Sequence, residues 1–175
     1  GSHVQLATNQ LEILLKDSSC EGLEIPVNKL ADIFSLDESQ KRVLELEGIL
    51  LLKIESILDR KKVPVLYTTR EEMHFSSDSE RMNFGLLLAE FMAILVGKLT
   101  YHLGYIISKG GITTQILLQK GLNFKQVDLK GQILPGLSIV TSNSDQYDLP
   151  VVTFPGNLGD EKTLLESFRL MESNS

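Results

Sequence analysis

The chain has 175 residues, which suits one domain because domains commonly run to roughly 100–200 residues. Hydrophobic residues make up 42% and charged residues 23%, as in an ordinary soluble globular protein. The formal net charge of −6 argues against a nucleic-acid binder, which usually presents a basic face. The single cysteine, Cys20, excludes an internal disulfide and favours a reducing, cytoplasmic location.

Hydrophobic spacing and punctuating residues predict alternating helices and strands along the chain. The predicted helices are 4–16, 27–34, 37–60, 80–102, 112–120 and 160–171, and the predicted strands are 22–27, 63–68, 105–108, 122–129, 132–141 and 149–153. Asp37, with Gln40 three residues on, has the spacing of a capping box at the start of helix 37–60. Helix 80–102 is apolar on most sides and is predicted to be central. Its apolar stretch contains Glu90 and falls short of the ~20 residues that a membrane span needs.

This order of elements predicts an α/β fold with a mostly parallel sheet flanked by helices. The closely spaced strands after Gly121 predict antiparallel strands in the C-terminal third. If the strands 63–68, 105–108 and 149–153 lie parallel in one sheet, the loops that follow them converge at one edge, where ligands of α/β proteins bind.

Two glycines mark the passage from strand 105–108 to helix 112–120. Gly110 and Gly111 would let a phosphate approach the backbone, and the N–H groups and dipole at the helix start favour an anion. Thr113 and Thr114 add hydroxyl groups in the first turn. The alternative is a purely structural turn capped by Thr113.

A second glycine-containing loop follows strand 149–153. Gly156 and Gly159 permit backbone angles that other residues avoid, and Asp160 is a candidate N-cap for the next helix. The carboxylate of Asp160 would repel a phosphate at that helix end, so a glycine wall against a ribose or base suits this loop better. The alternative is an ordinary loop with a capped helix, and Pro135-Gly136 by itself predicts a plain turn.

Several well-known site patterns do not occur in the sequence. It contains no Walker P-loop, no G-x-G-x-x-G dinucleotide pattern and no G-x-S-x-G elbow. The acidic pairs 37–38 and 71–72 are sequence neighbours that would point in different directions on a helix, which is typical of a solvated surface.

Taken together, four segments resemble the C-terminal nucleotide-binding domain of the four-carbon acid sugar kinase family. Residues 107–113 resemble its Gly-Gly-Glu-Thr segment, and Pro135-Gly136 resembles its Pro-Gly. Residues 151–160 resemble its closing segment, and Gly1-Ser2 with Gln10-Leu11 resembles its opening one, which follows a strand that would precede Gly1. Ile112 stands where the family usually has Glu, and Phe154-Pro155 stands where it often has Lys-Ser.

The resemblance implies that residues 1–175 form a single nucleotide-binding domain, the C-terminal half of a two-domain kinase. Such a kinase transfers the γ-phosphoryl group of ATP to a four-carbon sugar acid, a tetronate or oxo-tetronate, with Mg²⁺ as cofactor. The sugar acid would bind an N-terminal domain that this chain does not contain, so the fragment alone is expected to be inactive. No catalytic base or metal ligand is assigned, and neither nucleic acid nor a membrane is expected as a partner.

The residues implied in nucleotide binding are Ser2, Gly110, Gly111, Ile112, Thr113, Thr114, Gly136, Gly156, Asn157 and Gly159. Two alternatives stay open at this point. The chain could be a non-catalytic nucleotide sensor that keeps the fold without the family's Glu and Lys, or an interaction module whose glycine turns are structural.

Overall fold

The computed structural model describes residues 5–35, 39–69, 73–142 and 149–173. The chain divides into two compact units, a larger one of Gly1–Leu14 with Ala89–Ser175 and a smaller one of Leu15–Leu88. The predicted site residue Ser2 and the predicted cap Asp37 both lie outside the described residues.

The smaller unit is built on a pair of parallel strands. Its strands are β1 (Cys20–Ile25) and β2 (Val63–Thr68), and its helices are α2 (Val27–Phe34), α3 (Ser39–Asp59) and the first half of α4 (Asp78–Gly97). The strands pair from Cys20 with Val63 to Ile25 with Thr68. Helix α3 contacts both strands and α2, and it buries side chains at helical spacing, Leu46, Leu50, Ile54 and Ile57.

The larger unit contains a four-stranded mixed sheet. Its elements are α1 (Gln5–Leu14), the second half of α4, β3 (Ile106–Lys109), α5 (Gly111–Ile116), β4 (Val127–Leu134), β5 (Leu137–Ser142), β6 (Val151–Phe154) and α6 (Thr163–Glu172). The strand order is β3-β6-β5-β4. Strands β3 and β6 are parallel, whereas β5 is antiparallel to both β6 and β4. A 3₁₀ turn at Thr100–His102 follows α4, and a π-helical segment at Leu117–Gly121 continues α5.

The core of the larger unit forms around β6, which has a neighbouring strand on both sides. Val151, Val152 and Phe154 are fully buried. Val151 packs in one cluster with Ala93 of α4 and Ile116 of α5. A short apolar strand without alternating polar residues suits this position, because both faces of a central strand are covered.

The predicted α/β class is confirmed, with parallel strand pairs and with antiparallel strands in the C-terminal third. The predicted strand boundaries in that third are wrong. The turn falls at Pro135-Gly136, because Gly131, with φ 139°, takes part in a bulge and lets β4 continue past it. The expectation that strand 63–68 shares a sheet with β3 and β6 is also wrong, since β2 pairs with β1 in a separate sheet.

Helix α4 is buried over only part of its length, whereas the sequence predicted a central helix. Ala89, Phe91, Ala93 and Leu95 are buried as expected, but Met82, Leu86 and Leu87 in its first half are exposed. Apolar residues lie on all sides of the helix along its whole length. Their pattern therefore does not show which end of the helix is covered and which is exposed. Among the helices of the described ranges, none is both long and apolar enough to cross a membrane.

Candidate functional site

Three glycine-containing segments lie at one edge of the larger unit's sheet. Strands β3 and β6 are parallel and end in register at Lys109 and Phe154, so the segments that follow them, 110–114 and 155–160, begin side by side. The N–H of Gly110 donates to the carbonyl of Phe154 at 2.8 Å. Strand β5 is antiparallel to β6, which brings the β4–β5 turn at 135–136 to the same end. We call this place the glycine edge.

The start of α5 is open to solvent at the glycine edge. Gly110 is its N-cap, with φ 105° and no side-chain capping bond, so the N–H groups of the first turn have no intrahelical partner. Gly111 is exposed, and a Cβ placed there would meet no atom within 4 Å. Ile112 is 60% exposed and Thr113 is half-buried. Thr113 does not cap the helix, so the purely structural turn considered from sequence lacks the cap that it required.

Thr114 faces the protein and not the solvent. It is buried, and its hydroxyl lies 2.9 Å from Ser108 Oγ and 3.1 Å from the Ser108 carbonyl oxygen. These contacts tie the first turn of α5 to β3. The hydroxyl of Thr114 therefore positions the segment, and the prediction that it contacts a phosphate stays untested.

In the loop between β6 and α6, the predicted cap Asp160 bonds to the backbone just before the helix, whose N-cap in the structure is Lys162. The Asp160 carboxylate accepts hydrogen bonds from the N–H groups of Lys162 and Thr163 at 2.9 and 3.0 Å, and from the Thr163 hydroxyl at 2.9 Å. The hydrogen bond from the Thr163 hydroxyl is the main reason why the pKa of Asp160 lies below its usual range. Gly159, with φ 79°, lies so close to Thr163 that a Cβ would overlap its side chain. Gly159 is thus explained by the cap geometry.

The β4–β5 turn packs onto the same loop. Gly136 has φ 80°, which confirms the plain turn, and a Cβ placed there would approach Leu158 Cδ2 to 3.0 Å. Gly156 is half-buried and Asn157 is exposed, and both lie in the turn that follows Pro155. The structure thus brings all the described residues of the predicted nucleotide site to the glycine edge.

Gln10 of α1 holds the loop between β6 and α6 in place through hydrogen bonds, a role that the sequence analysis did not predict. The side chain is fully buried, and its Nε2 donates to the carbonyls of Leu158 at 3.1 Å and Asp160 at 2.6 Å. In the sequence, Gln10 belongs only to the resemblance of the opening segment. Its long-range partners could not be read from local spacing.

Lys109 places a cation at the glycine edge, and sequence reasoning gave it no role. Its Nζ donates to the Pro155 carbonyl at 3.3 Å and lies 3.9 Å from the centroid of the Phe154 ring. Burial lowers the pKa of Lys109 to about 8. Its position directly before Gly110 was the signal available in the sequence.

A protein-held metal site does not fit the described residues. They contain no group of three or more His, Cys, Asp and Glu side chains that could hold a metal ion. Mg²⁺ is commonly held by one or two carboxylates together with substrate phosphates. At the glycine edge, the Asp160 carboxylate already accepts three hydrogen bonds.

Comparison with known families identifies the kind of domain that carries this edge. Residues 1–164 match the family described as a nucleotide-binding C-terminal domain. The chain belongs to this family. The resemblance to the nucleotide-binding domain of four-carbon acid sugar kinases is thereby confirmed. The matched range includes all three segments of the glycine edge. No curated protein matches the chain at a significant level.

Solved structures share the fold at low sequence identity. A Bordetella bronchiseptica protein of the DUF1537 class, described as a domain-swapped dimer with bound citrate, is 16% identical with a TM-score of 0.68 over 97% of this chain. A Haemophilus influenzae protein of the same class is 19% identical with a TM-score of 0.69 over 99% of this chain. A Salmonella typhimurium LT2 protein, provisionally described as a tRNA synthase, is 16% identical with a TM-score of 0.71 over 97%. The chain spans only 39%, 38% and 39% of these three proteins.

Proposed function

We propose that this nucleotide-binding domain binds ATP at the glycine edge, as the C-terminal half of a kinase that acts on a four-carbon sugar acid. The observation that carries the proposal is the family match over residues 1–164, which includes the edge. The citrate bound to the Bordetella bronchiseptica protein, a small polycarboxylic acid, is compatible with an acidic acceptor in such two-domain proteins.

The phosphates are proposed to lie at the open start of α5. The N–H group of Gly110 is already bonded to Phe154, so the available donors are those of Gly111, Ile112 and Thr113, with the Thr113 hydroxyl beside them. Uncapped N–H groups and the helix dipole both favour an anion there. Gly110 and Thr114 act indirectly, because one makes the sharp turn and the other ties α5 to β3.

The nucleoside is proposed to lie against the neighbouring loop and turn. Gly156, Asn157 and Gly159 would form one wall, and Gly136 would border it through its contact with Leu158. Asp160 keeps a negative charge on its own helix start, which disfavours a second phosphate position there. Ser2 is retained as a proposed further contact, although it lies outside the described residues.

ATP supplies the phosphoryl group that is transferred. In the proposed reaction, a hydroxyl oxygen of the sugar acid forms a bond to the γ-phosphorus while the bond from that phosphorus to the bridging oxygen breaks, which releases ADP. The hydroxyl proton passes to a base that we place in the N-terminal domain of the full kinase. The contribution of the present domain is to position and stabilise the phosphates, which is the main source of catalysis in phosphoryl transfer.

A pair of glycine substitutions tests the location of the site. We expect Gly111→Val to raise the Kd for ATP at least about tenfold, since the side chain would fill the space next to the phosphate donors. Its thermal midpoint should fall by no more than a few degrees, because the position is exposed, has no positive φ and is free of close contacts. Calorimetric titration and thermal unfolding measure the two quantities.

Gly104→Val is the matched control at the opposite end of β3. Gly104 is also exposed, and a Cβ there would also meet nothing within 4 Å. ATP affinity should be unchanged in this variant. An unchanged Kd with a large loss of midpoint in Gly111→Val would instead support a purely structural turn. Failure of the unmodified chain to bind any nucleotide would support an interaction module.

The non-catalytic sensor is favoured by one observation and stays a second candidate. Ile112 exposes an apolar side chain at the mouth of the proposed site, where the family resemblance would place Glu. Tight ATP binding by the full-length protein, with no phosphorylation of any four-carbon sugar acid in a coupled ADP-release assay, would decide for the sensor.

A further inference from the structure

Lys109 lies at the glycine edge, at the point where strands β3 and β6 both end. It is the last residue of β3 and is in register with Phe154, the last residue of β6. Its ammonium group reaches across to β6, where it contacts the Pro155 carbonyl and the face of the Phe154 ring. The charge therefore lies at the start of the loop 155–160, one residue along the chain from the segment 110–114.

Within the described part of the chain, this ammonium group has no anionic partner. None of the ion pairs formed by described residues includes Lys109. The Asp160 carboxylate of the same edge is bonded instead to donors of Lys162 and Thr163, all through Oδ1. Burial lowers the pKa of Lys109, so the surroundings disfavour its charged form. A half-buried cation whose contacts are only a carbonyl oxygen and an aromatic ring is suited to bind an anionic ligand. The anion would stabilise the charged form that burial disfavours.

We propose that Lys109 is a phosphate-binding residue of the nucleotide site and that its ammonium group meets the terminal phosphates of a nucleoside di- or triphosphate. The inference rests on the proposed function of the glycine edge. A lysine suits this role because its ammonium is a compact charge on a flexible stem and can move from the Pro155 carbonyl to a phosphate a short distance away. The N–H groups at the start of α5, which follows β3 directly, would hold the same phosphates.

Removing the charge while keeping the stem tests the proposal. Lys109→Met preserves an apolar chain over the Phe154 ring, and Lys109→Arg preserves the charge. With ATP, ADP, AMP and adenosine titrated in turn, we expect Lys109→Met to raise the Kd for ATP about tenfold to a hundredfold. The loss should shrink as phosphates are removed and vanish for adenosine, and Lys109→Arg should recover most of the ATP affinity.

Lys125→Met is the control, since Lys125 is exposed and outside the glycine edge. It should leave every Kd unchanged. A Lys109→Met variant that binds ATP as the unmodified chain does would overturn the role of Lys109 and leave the proposed function standing. So would an equal loss for ATP and adenosine, because that is the mark of a merely structural clamp. If the unmodified chain binds none of the four compounds, the proposed function fails and this inference fails with it.

A measurement on the unmodified chain covers the case in which Lys109→Met does not fold. Acetic anhydride acetylates uncharged amines, and mass spectrometry reports the rate at each lysine. We expect saturating ATP to slow acetylation of Lys109 at least severalfold while saturating adenosine leaves it unchanged. An ATP-bound chain in which Lys109 is acetylated at the free rate would refute the contact.

Discussion

Phe154 stands where the family often has a lysine, and in the structure a lysine lies beside it on the neighbouring strand. The family often has Lys-Ser where this chain has Phe154-Pro155, and the loss of that lysine would remove a cation that could meet the phosphates. In the structure, Phe154 is fully buried in the core of the larger unit. Lys109, its register partner on β3, carries an ammonium group to the same edge. A cation is therefore found at this edge on the neighbouring strand, while Phe154 packs in the core.

Gln10 is expected to stabilise the loop at the glycine edge through its two long-range hydrogen bonds. Replacing it with Leu would leave the carbonyls of Leu158 and Asp160 without this donor. A buried polar group left unsatisfied costs about 1–3 kcal/mol. The Oε1 atom of Gln10 has no partner among the described residues, so its loss should offset part of that penalty. We expect Gln10→Leu to lower the free energy of unfolding by about 1–3 kcal/mol in urea titrations.

Asn9→Ala is the comparison for Gln10→Leu. Asn9 is the neighbouring residue on α1 and bonds to Glu161 of the same loop, but this contact is exposed. Water can replace it, so the change should stay within about 0.5 kcal/mol. Equal losses for the two variants would show that the burial of the Gln10 bonds is not what matters.

At the level of elements, two glycines allow α4 to approach the π-helical segment that follows α5. A Cβ on Gly97 would overlap the carbonyl oxygen of Gly121, and a Cβ on Gly121 would overlap that of Ala93. Backbone atoms in packed helices cannot move aside as a flexible side chain can. We expect Gly97→Ala to destabilise the fold by about 1–3 kcal/mol, the usual range for overpacking.

Gly85→Ala on the same helix should have the opposite sign. A Cβ there meets nothing within 4 Å, and Ala is favoured over Gly by about 0.8–1.0 kcal/mol within a helix. Urea-induced unfolding of both variants measures the two changes. A stabilised Gly97→Ala would contradict the close approach of α4 and the π-helical segment.

The elements themselves were largely predictable, because each depends on local sequence. Helix α2 and strand β2 match their predicted spans, and α5 begins within one residue of its predicted start. The boundaries of β4 and β5 were not predictable, because Gly131 looks like a turn residue but takes part in a bulge within β4. Whether a glycine in a strand makes a turn or a bulge depends on the partner strand, which local sequence does not specify.

For the whole molecule, the convergence of loops was predictable, whereas the membership of the sheets was not. Parallel strands followed by helices bring their carboxyl ends together, and this rule correctly placed the segments after β3 and β6 side by side. The same rule put β2 in that sheet, yet it pairs with β1. An apolar run such as 63–68 suits either sheet, since strand pairing is decided by contacts distant in sequence. The roles of Lys109 and Gln10 were not predictable for the same reason, because their contact partners lie far along the chain.

In the proposed kinase, this domain binds ATP and a separate N-terminal domain binds the sugar acid. This chain spans 38–39% of the solved proteins that share its fold, and the acceptor site and base of the proposed kinase are assigned to its N-terminal domain. We therefore expect the isolated chain to bind ATP or ADP weakly and to show no sugar-acid-dependent ADP release, because it would hold the phosphates without presenting an acceptor to them. Calorimetry measures the binding, and a coupled assay with four-carbon sugar acids measures the turnover, with Gly111→Val as the background. Robust turnover that depends on the sugar acid and is lost in Gly111→Val would mean that the acceptor site lies within these 175 residues, and it would overturn the assignment of that site to a separate domain.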